Sequence, residues 1–293
     1  MTNHSKGLPM TILVTAASGQ LGRLVLDSLL ARGVAPAEVR AGARTPDTLA
    51  EYAERGIDVV RLDYDDPATV AAAVKGVHRV LLVSGNEMGR RVDQHRAVID
   101  AAASEGVQQL VYTSAPRADD TTLVLAPEHR ATEELVRASG VPFTILRNNW
   151  YAENYAQDLA TARETGAFVT SAGEGRVASA ARADYAEAAA VVLTESGHEG
   201  EVYELAGDEA WTFDVLAAAL SEVLGRDVEL RQVSSDERVA ILQGVGLDAG
   251  TAGFVTALDG NIRDGDLAFT DGTLSRLIGR PTTPLAVALS RLA

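Results

Sequence analysis

From Met10 to Asn148 the chain alternates short apolar runs with stretches whose apolar residues recur at helical spacing. MTILVTA (10–16) is apolar throughout, as a strand buried on both faces should be. In the following GQLGRLVLDSLLARG, Leu21, Leu24, Val25, Ser28 and Leu29 share one helical face, and Gly33 stands where a glycine closes a helix. EVRAGAR (38–44) and IDVVRLD (57–63) predict a second and third strand. DDPATVAAAVKG predicts a helix with Asp65 or Asp66 as N-cap and Pro67 in its first position. A fourth strand is expected over 78–85, an alanine-rich helix over 90–105 and a fifth strand over 108–115. A helix over 128–139, closed by Gly140, and a sixth strand over 142–148 complete the series.

Six strands alternating with helices predict an α/β fold, a Rossmann doubly wound parallel sheet. Right-handed crossovers place all carboxyl ends of the strands on one edge, where ligands bind. After Asn148 the rhythm changes to helices over 149–164, 184–195, 212–224 and 236–243, with short strands near 202–205 and 228–233. The expected organisation is a dinucleotide-binding Rossmann domain over 10–150 and a smaller, mainly helical substrate lobe over 151–293. Some of its segments return to the main sheet, and the lobe forms one wall of a substrate cleft.

TAASGQLG (15–22) lies between the first strand and the first helix, the context that gives a glycine motif meaning. The backbone and helix start over Ala16, Ser18, Gly19, Gln20, Leu21 and Gly22 are expected to hold a pyrophosphate, with Gly19 allowing close approach and Gly22 close helix–strand packing. Alanine replaces the first glycine. If Ala16 keeps a negative φ, the loop binds with a slight shift; if glycine was needed, affinity falls. At the end of the second strand AGART offers Arg44 where NAD-selective sites carry an acid, which favours NADP. Arg40 lies four residues earlier on an alternating strand. Asp63 either meets the adenine edge or caps a helix.

Composition narrows the chemistry. There is no cysteine, so disulfides, thiolate metal sites and cysteine nucleophiles are excluded, and no metal site is expected. The net charge of −15 argues against nucleic acid as a partner and requires a local basic pocket for an anionic cofactor. Residues 1–9 read as a loose polar tail rather than a signal peptide, and no run is long enough for a membrane span. A cytoplasmic protein, with homo-oligomerisation open, is the expectation. HExxH, GxSxG and Walker signatures are absent. So is YxxxK, since Pro116 stands four residues after Tyr112.

Beyond the loop, AGARTPD, LDYDDPATVAAAVKGVHRVLLVSG, RVDQHRAVIDAAASEGVQQLVYTSA, APEHRATEELVRASGVPFTILRNNWYAENY and ASAARADYAEAAAVVLT resemble the NmrA-like atypical short-chain dehydrogenases/reductases. VYELAGDEAWTFDVLAAAL and TLSRLIGRPTTPL extend the likeness to about Leu285. Within that family the chain is most similar to the bacterial NAD(P)H:quinone oxidoreductase type 2 branch. The resemblance implies an NADPH site built from the loop, Arg44, Ser84, Gly85, Thr113, Ser114 and the end of the sixth strand with Arg147. It also implies hydride transfer to a quinone or similar electrophilic carbonyl.

Asn148, Asn149 or Tyr151 would polarise a quinone oxygen, and Trp150 with Tyr151 would give the ring a flat wall. His129 would hydrogen-bond the nicotinamide ribose or donate a proton. His95 reads as a partly buried structural histidine. Two other functions stay open: a non-catalytic NADP(H)-sensing regulator that binds a protein partner, and a biosynthetic reductase or isomerase with a dedicated substrate.

Overall fold

The chain through Asn148 forms β1 (Ile12–Val14), α1 (Gln20–Ala31), β2 (Val39–Ala43), α2 (Ala50–Glu54), β3 (Asp58–Arg61), α3 (Pro67–Val74), β4 (Arg79–Leu82), α4 (Arg91–Glu105), β5 (Gln109–Ser114), α5 (Ala126–Ala138) and β6 (Phe143–Asn148). Then follow α6 (Ala156–Thr165), β7 (Ala167–Thr170), β8 (Arg176–Val177), α7 (Arg182–Thr194), β9 (Val202–Leu205), β10 (Trp211–Thr212), α8 (Phe213–Leu224), β11 (Glu229–Gln232), α9 (Ser235–Gly244), α10 (Ala249–Arg263), α11 (Thr273–Ile278) and α12 (Leu285–Ser290). The structure, a computed structural model, describes residues 10–293; residues 1–9, read above as a tail, lie outside the described residues.

Seven strands form one sheet in the order β3-β2-β1-β4-β5-β6-β9. Every registered pair is parallel, from Arg40 opposite Asp58 at one side to Ser114 opposite Arg147 at the other. β9 runs with β6, since Ile145 N–H donates to Glu201 O and Asn149 N–H to Leu205 O. The order reverses at β1, between β2 and β4, which is where a doubly wound sheet opens a crevice for a dinucleotide. The doubly wound α/β fold read from the alternation is therefore the fold of the chain.

The chain divides into two units. One holds the chain up to Ser114, Glu128–Arg147 and Ala186–Tyr203; the other holds Ala115–Pro127, Asn148–Tyr185 and Glu204–Ala293. The units interleave along the chain, where the sequence suggests one boundary at residue 150. The first has a core between strands and helices that includes Leu13, Val80, Leu82, Val98, Leu110, Tyr112 and Ile145. The second is built on Tyr155, Phe168, Trp211, Phe213, Leu216 and Leu220, with Tyr155, Trp211 and Phe213 meeting edge to face.

Local chemistry explains most boundaries. Asp66 is the N-cap of α3 and accepts from Ala68 N–H, with Pro67 in the first helical position. Gly106 closes α4 at φ +66°. Elsewhere expectation and structure differ. Helix is absent at 149–151: Tyr151 pairs with Ala180 in a bridge, a short 3₁₀ turn covers Ala152–Tyr155, and α6 begins only at Ala156. The expected elements also omit α2, β7, β8, β10, α11, α12 and, longest of all, α10. Its glycines 250, 253 and 260 weaken the helical signal. Asp248 supplies the cap by accepting from Gly250 N–H and Thr251 N–H.

Candidate active site

The glycine loop follows β1 directly. Thr15 anchors it: its hydroxyl donates to Leu81 O and accepts from Val83 N–H and from the Tyr64 hydroxyl, so β1, β4 and the turn after β3 are tied at one point. Gly19 N–H returns to Ala16 O at 2.9 Å, and α1 starts at Gln20. The first helical bond runs from Arg23 N–H to Gly19 O, which leaves the amides before it directed out of the helix end. No side chain caps that end and its first turn holds no acid, so its positive dipole is uncompensated.

The glycines have different physical roles. A Cβ on Gly22 would lie 2.6 Å from Ala16 O and 2.7 Å from Ala17 Cα, so only glycine lets α1 sit this close to the loop. Gly19 is exposed, and a Cβ there would meet only Ala16 O at 3.2 Å. Ala16 itself has φ +45°. The replaced glycine position is thus left-handed, and alanine is held there at a strain.

Around this loop the expected contacts separate into exposed and committed groups. Arg44 is 67% exposed, just past β2, with Nη1 3.3 Å from Glu87 Oε1. Asp63 accepts from Asp65 N–H and so shapes its own turn, while the cap of α3 is Asp66. Ser84 and Gly85 are clamped. Ser84 N–H donates to Thr113 Oγ1, Gly85 N–H donates to His95 Nε2 at 2.9 Å, and Gly85 O accepts from Arg91 Nε at 2.7 Å. Thr113 therefore positions the β4 loop.

His95 and Arg91 do the same, and sequence reasoning gave neither that task. Because Gly85 N–H donates to Nε2, the His95 proton sits on Nδ1 and points to Thr132 Oγ1, 3.0 Å away; Thr132 in turn donates to Glu128 O. Burial, with the Arg91 charge, lowers the His95 pKa to about 3 and keeps this ring neutral.

Three side chains expected at the cofactor or the chemistry are engaged elsewhere. Ser114 Oγ donates to Glu133 Oε1 at 2.6 Å, and Arg147 binds the same carboxylate through Nε and Nη2 at 2.9 and 2.7 Å. This ion pair is buried, and removal of its carboxylate would strand a charge. His129 is buried with Nδ1 2.8 Å from the Tyr112 hydroxyl, and burial, Arg91 and His95 lower its pKa to about 3. At neutral pH it is therefore an uncharged imidazole with a single N–H, and it holds no imidazolium proton to release.

In the second unit, Asn149 has its carboxamide satisfied at both ends: Oδ1 accepts from Trp150 N–H and Nδ2 donates to Leu267 O. Trp150 packs on that unit's core. Asn149 is thus held in place by the backbone on either side, and Trp150 is partly buried. Asn148 and Tyr151 differ. Asn148 is buried, its Nδ2 donates to the Tyr151 hydroxyl at 3.3 Å, and its Oδ1 has no partner among the described residues. Tyr151 therefore accepts one bond and keeps its own proton to donate. Tyr185 meets its ring edge-on at 5.2 Å and the Arg182 guanidinium lies 4.8 Å from the ring centre. Burial raises the Tyr151 pKa, so the hydroxyl stays protonated.

These features fit a dinucleotide: an open helix start without acid, a loop that excludes a Cβ, and a clamped strand-end loop. Residues 16–196 match the NAD(P)H-binding family model. Quinone oxidoreductase 2 of Escherichia coli (strain K12) is 45% identical over 281 residues, covering 96% of this chain and 98% of that protein. The crystal structure of the NADPH-dependent quinone oxidoreductase of Escherichia coli complexed with NADPH superposes with TM-score 0.92 at 45% identity, covering 96% of this chain and 99% of that one. The Citrobacter sp. triphenylmethane reductase complexed with NADP(H) gives TM-score 0.91 at 36% identity, covering 97% and 100%. The chain belongs to the NAD(P)H-binding family and within it is similar to quinone oxidoreductase 2.

Proposed function

We propose that this protein is an NADPH-dependent oxidoreductase that transfers hydride to a quinone or a similar electrophilic carbonyl compound. The observation that carries the reading is the uncapped, acid-free start of α1 behind a glycine loop, with Arg44 where an NAD-selective site places an acid. The similarity to the NADPH-dependent quinone oxidoreductase of Escherichia coli supports the same cofactor and substrate class.

The cofactor, when bound, supplies the hydride; the protein supplies binding, orientation and charge placement. The amides at the start of α1 hold the pyrophosphate, and Arg44 takes the 2′-phosphate. The loop after β4, fixed by Thr113, His95 and Arg91, gives the cofactor a rigid backbone edge. Asn148 and Tyr151 polarise the substrate oxygen. Tyr151 donates to the oxygen on which negative charge grows, and Asn148 orients that hydroxyl. Ser114 and Arg147, both on Glu133, and His129, on Tyr112, hold the framework of the first unit, and Asn149 holds that of the second. The protein acts as a soluble cytoplasmic enzyme on a small molecule.

The test is a titration with NADPH and NADH followed by turnover on a panel of small quinones. NADPH oxidation with at least one quinone is expected. Arg44→Ala should weaken NADPH about tenfold while leaving NADH within about twofold, as for loss of one charge-assisted contact. NADPH binding without turnover on any quinone would refute the activity.

A further inference from the structure

The cations nearest the expected 2′-phosphate position are already paired. Arg44 Nη1 lies 3.3 Å from Glu87 Oε1, and Arg90 Nη1 lies 2.9 Å from Glu87 Oε2. Arg90 Nη2 lies 2.7 Å from Asp65, and Gln94 Nε2 bridges Glu87 and Asp65 at 3.2 and 3.1 Å. Two arginines are thus balanced by two carboxylates.

The place of this network in the sheet matters. Arg44 follows β2, Glu87 and Arg90 follow β4, and β2 and β4 flank β1. The Arg44–Glu87 pair therefore reaches across the carboxyl end of β1, above the start of the glycine loop. A dinucleotide lies across the same edge. It cannot take that position with its phosphate on Arg44 while Glu87 remains there. The pairs are exposed enough to exchange: Glu87 is 33% exposed, Arg44 67% and Arg90 60%. Ion pairs so exposed are individually weak.

We propose that Glu87 is a built-in counter-ion of the 2′-phosphate site, and that Arg90 is its second phosphate-binding cation beside Arg44. The proposal rests on the reading of the protein as NADPH-dependent. The phosphate of NADPH displaces the Glu87 carboxylate and takes over both arginines. With NADH there is no phosphate to displace it, and Glu87 stays to accept a ribose hydroxyl, as the acid of an NAD-selective site does. Glu87 thereby narrows the preference for NADPH that two arginines alone would create.

The experiment compares wild type, Glu87→Gln and Arg90→Gln by direct binding of NADPH, NADH, 2′,5′-ADP and 5′-AMP, with thermal unfolding as a control for folding. Glu87→Gln should tighten NADPH and 2′,5′-ADP about threefold to tenfold and leave NADH and 5′-AMP unchanged or weaker. Arg90→Gln should weaken the two 2′-phosphorylated ligands by about the same factor and leave the others within about twofold. If Glu87→Gln weakens NADPH, Glu87 preorganises the arginines rather than competing for them, and the proposal is overturned. Equal changes for NADPH and NADH in either variant also overturn it. Binding without quinone turnover would refute quinone reduction alone, since these affinities need no chemistry. No binding of any nucleotide by any of the three proteins would overturn both readings.

Discussion

Ala16→Gly probes the most strained point of the cofactor loop. Ala16 sits at φ +45°, with its carbonyl accepting Gly19 N–H at 2.9 Å. A left-handed alanine costs about 1–2 kcal/mol, which glycine removes. Glycine loses about 0.4–1 kcal/mol by freeing the unfolded chain. Loss of a half-buried methyl removes about 0.4 kcal/mol more, taken as half of a buried CH₂. The net expectation is stabilisation of about 0.5 kcal/mol, or roughly 1–2 °C in Tm for a chain of this size.

Ala16→Val moves the other way, because a β-branched side chain tolerates positive φ poorly. Thermal unfolding of the three proteins, each with an NADPH titration, reads both effects. NADPH affinity should hold within about twofold in Ala16→Gly, because the backbone is already in the glycine-like conformation. A lower Tm for Ala16→Gly than for Ala16→Val would refute the strain argument. A large gain in NADPH affinity with glycine would show that alanine holds the loop away from its binding geometry.

Other perturbations test other links. Gly22→Ala places a Cβ 2.6 Å from Ala16 O, so it should destabilise by about 1–3 kcal/mol and abolish measurable NADPH binding; unchanged Tm and affinity would contradict the close packing of α1. Tyr151→Phe should lower kcat on quinones about tenfold to a hundredfold and leave the NADPH Kd unchanged, whereas an effect on Kd alone would remove Tyr151 from the chemistry.

Asp158, on α6, has its pKa raised to about 7 by burial, with Arg238 opposing and Asp259 adding to the shift. Below pH 4 it is protonated in both folded and unfolded chains. Between pH 4 and 7 only the unfolded chain ionises, so this group removes stability as pH rises, and the loss is complete above pH 7. Asp158→Asn should therefore match wild type near pH 4 and exceed it by ~1–2 kcal/mol at pH 8, discounting for partial solvent screening. A difference that does not vary with pH, read by denaturant unfolding, would refute this assignment.

Much of the first unit is legible from local pattern. Uninterrupted apolar runs mark strands covered on both faces, and glycines mark helix ends, because both follow from backbone geometry within a few residues. The loop Thr15–Gly22 is readable for the same reason: a glycine turn between a strand and a helix is itself a phosphate-binding device. Helix α10 was hidden because its glycines erase the local signal that tertiary packing restores.

Most side-chain roles were not legible. Ser114, Arg147 and Glu133 are separated by 14 to 33 positions, yet they form one buried network, and no spacing rule announces it. His95 and His129 look alike as helical histidines. Only burial beside Arg91 shows that both are neutral, and only the bond from Gly85 N–H shows that His95 sets the β4 loop. Asn149 and Asn148 are adjacent and chemically identical; strand alternation and distant partners satisfy one and leave the other an open acceptor. The sequence by itself determined the sheet, the cofactor loop and the cation after β2, because these are set by periodicity and turn chemistry. Tertiary structure decided which polar groups remain free to act, because a buried group's charge and availability depend on partners far along the chain.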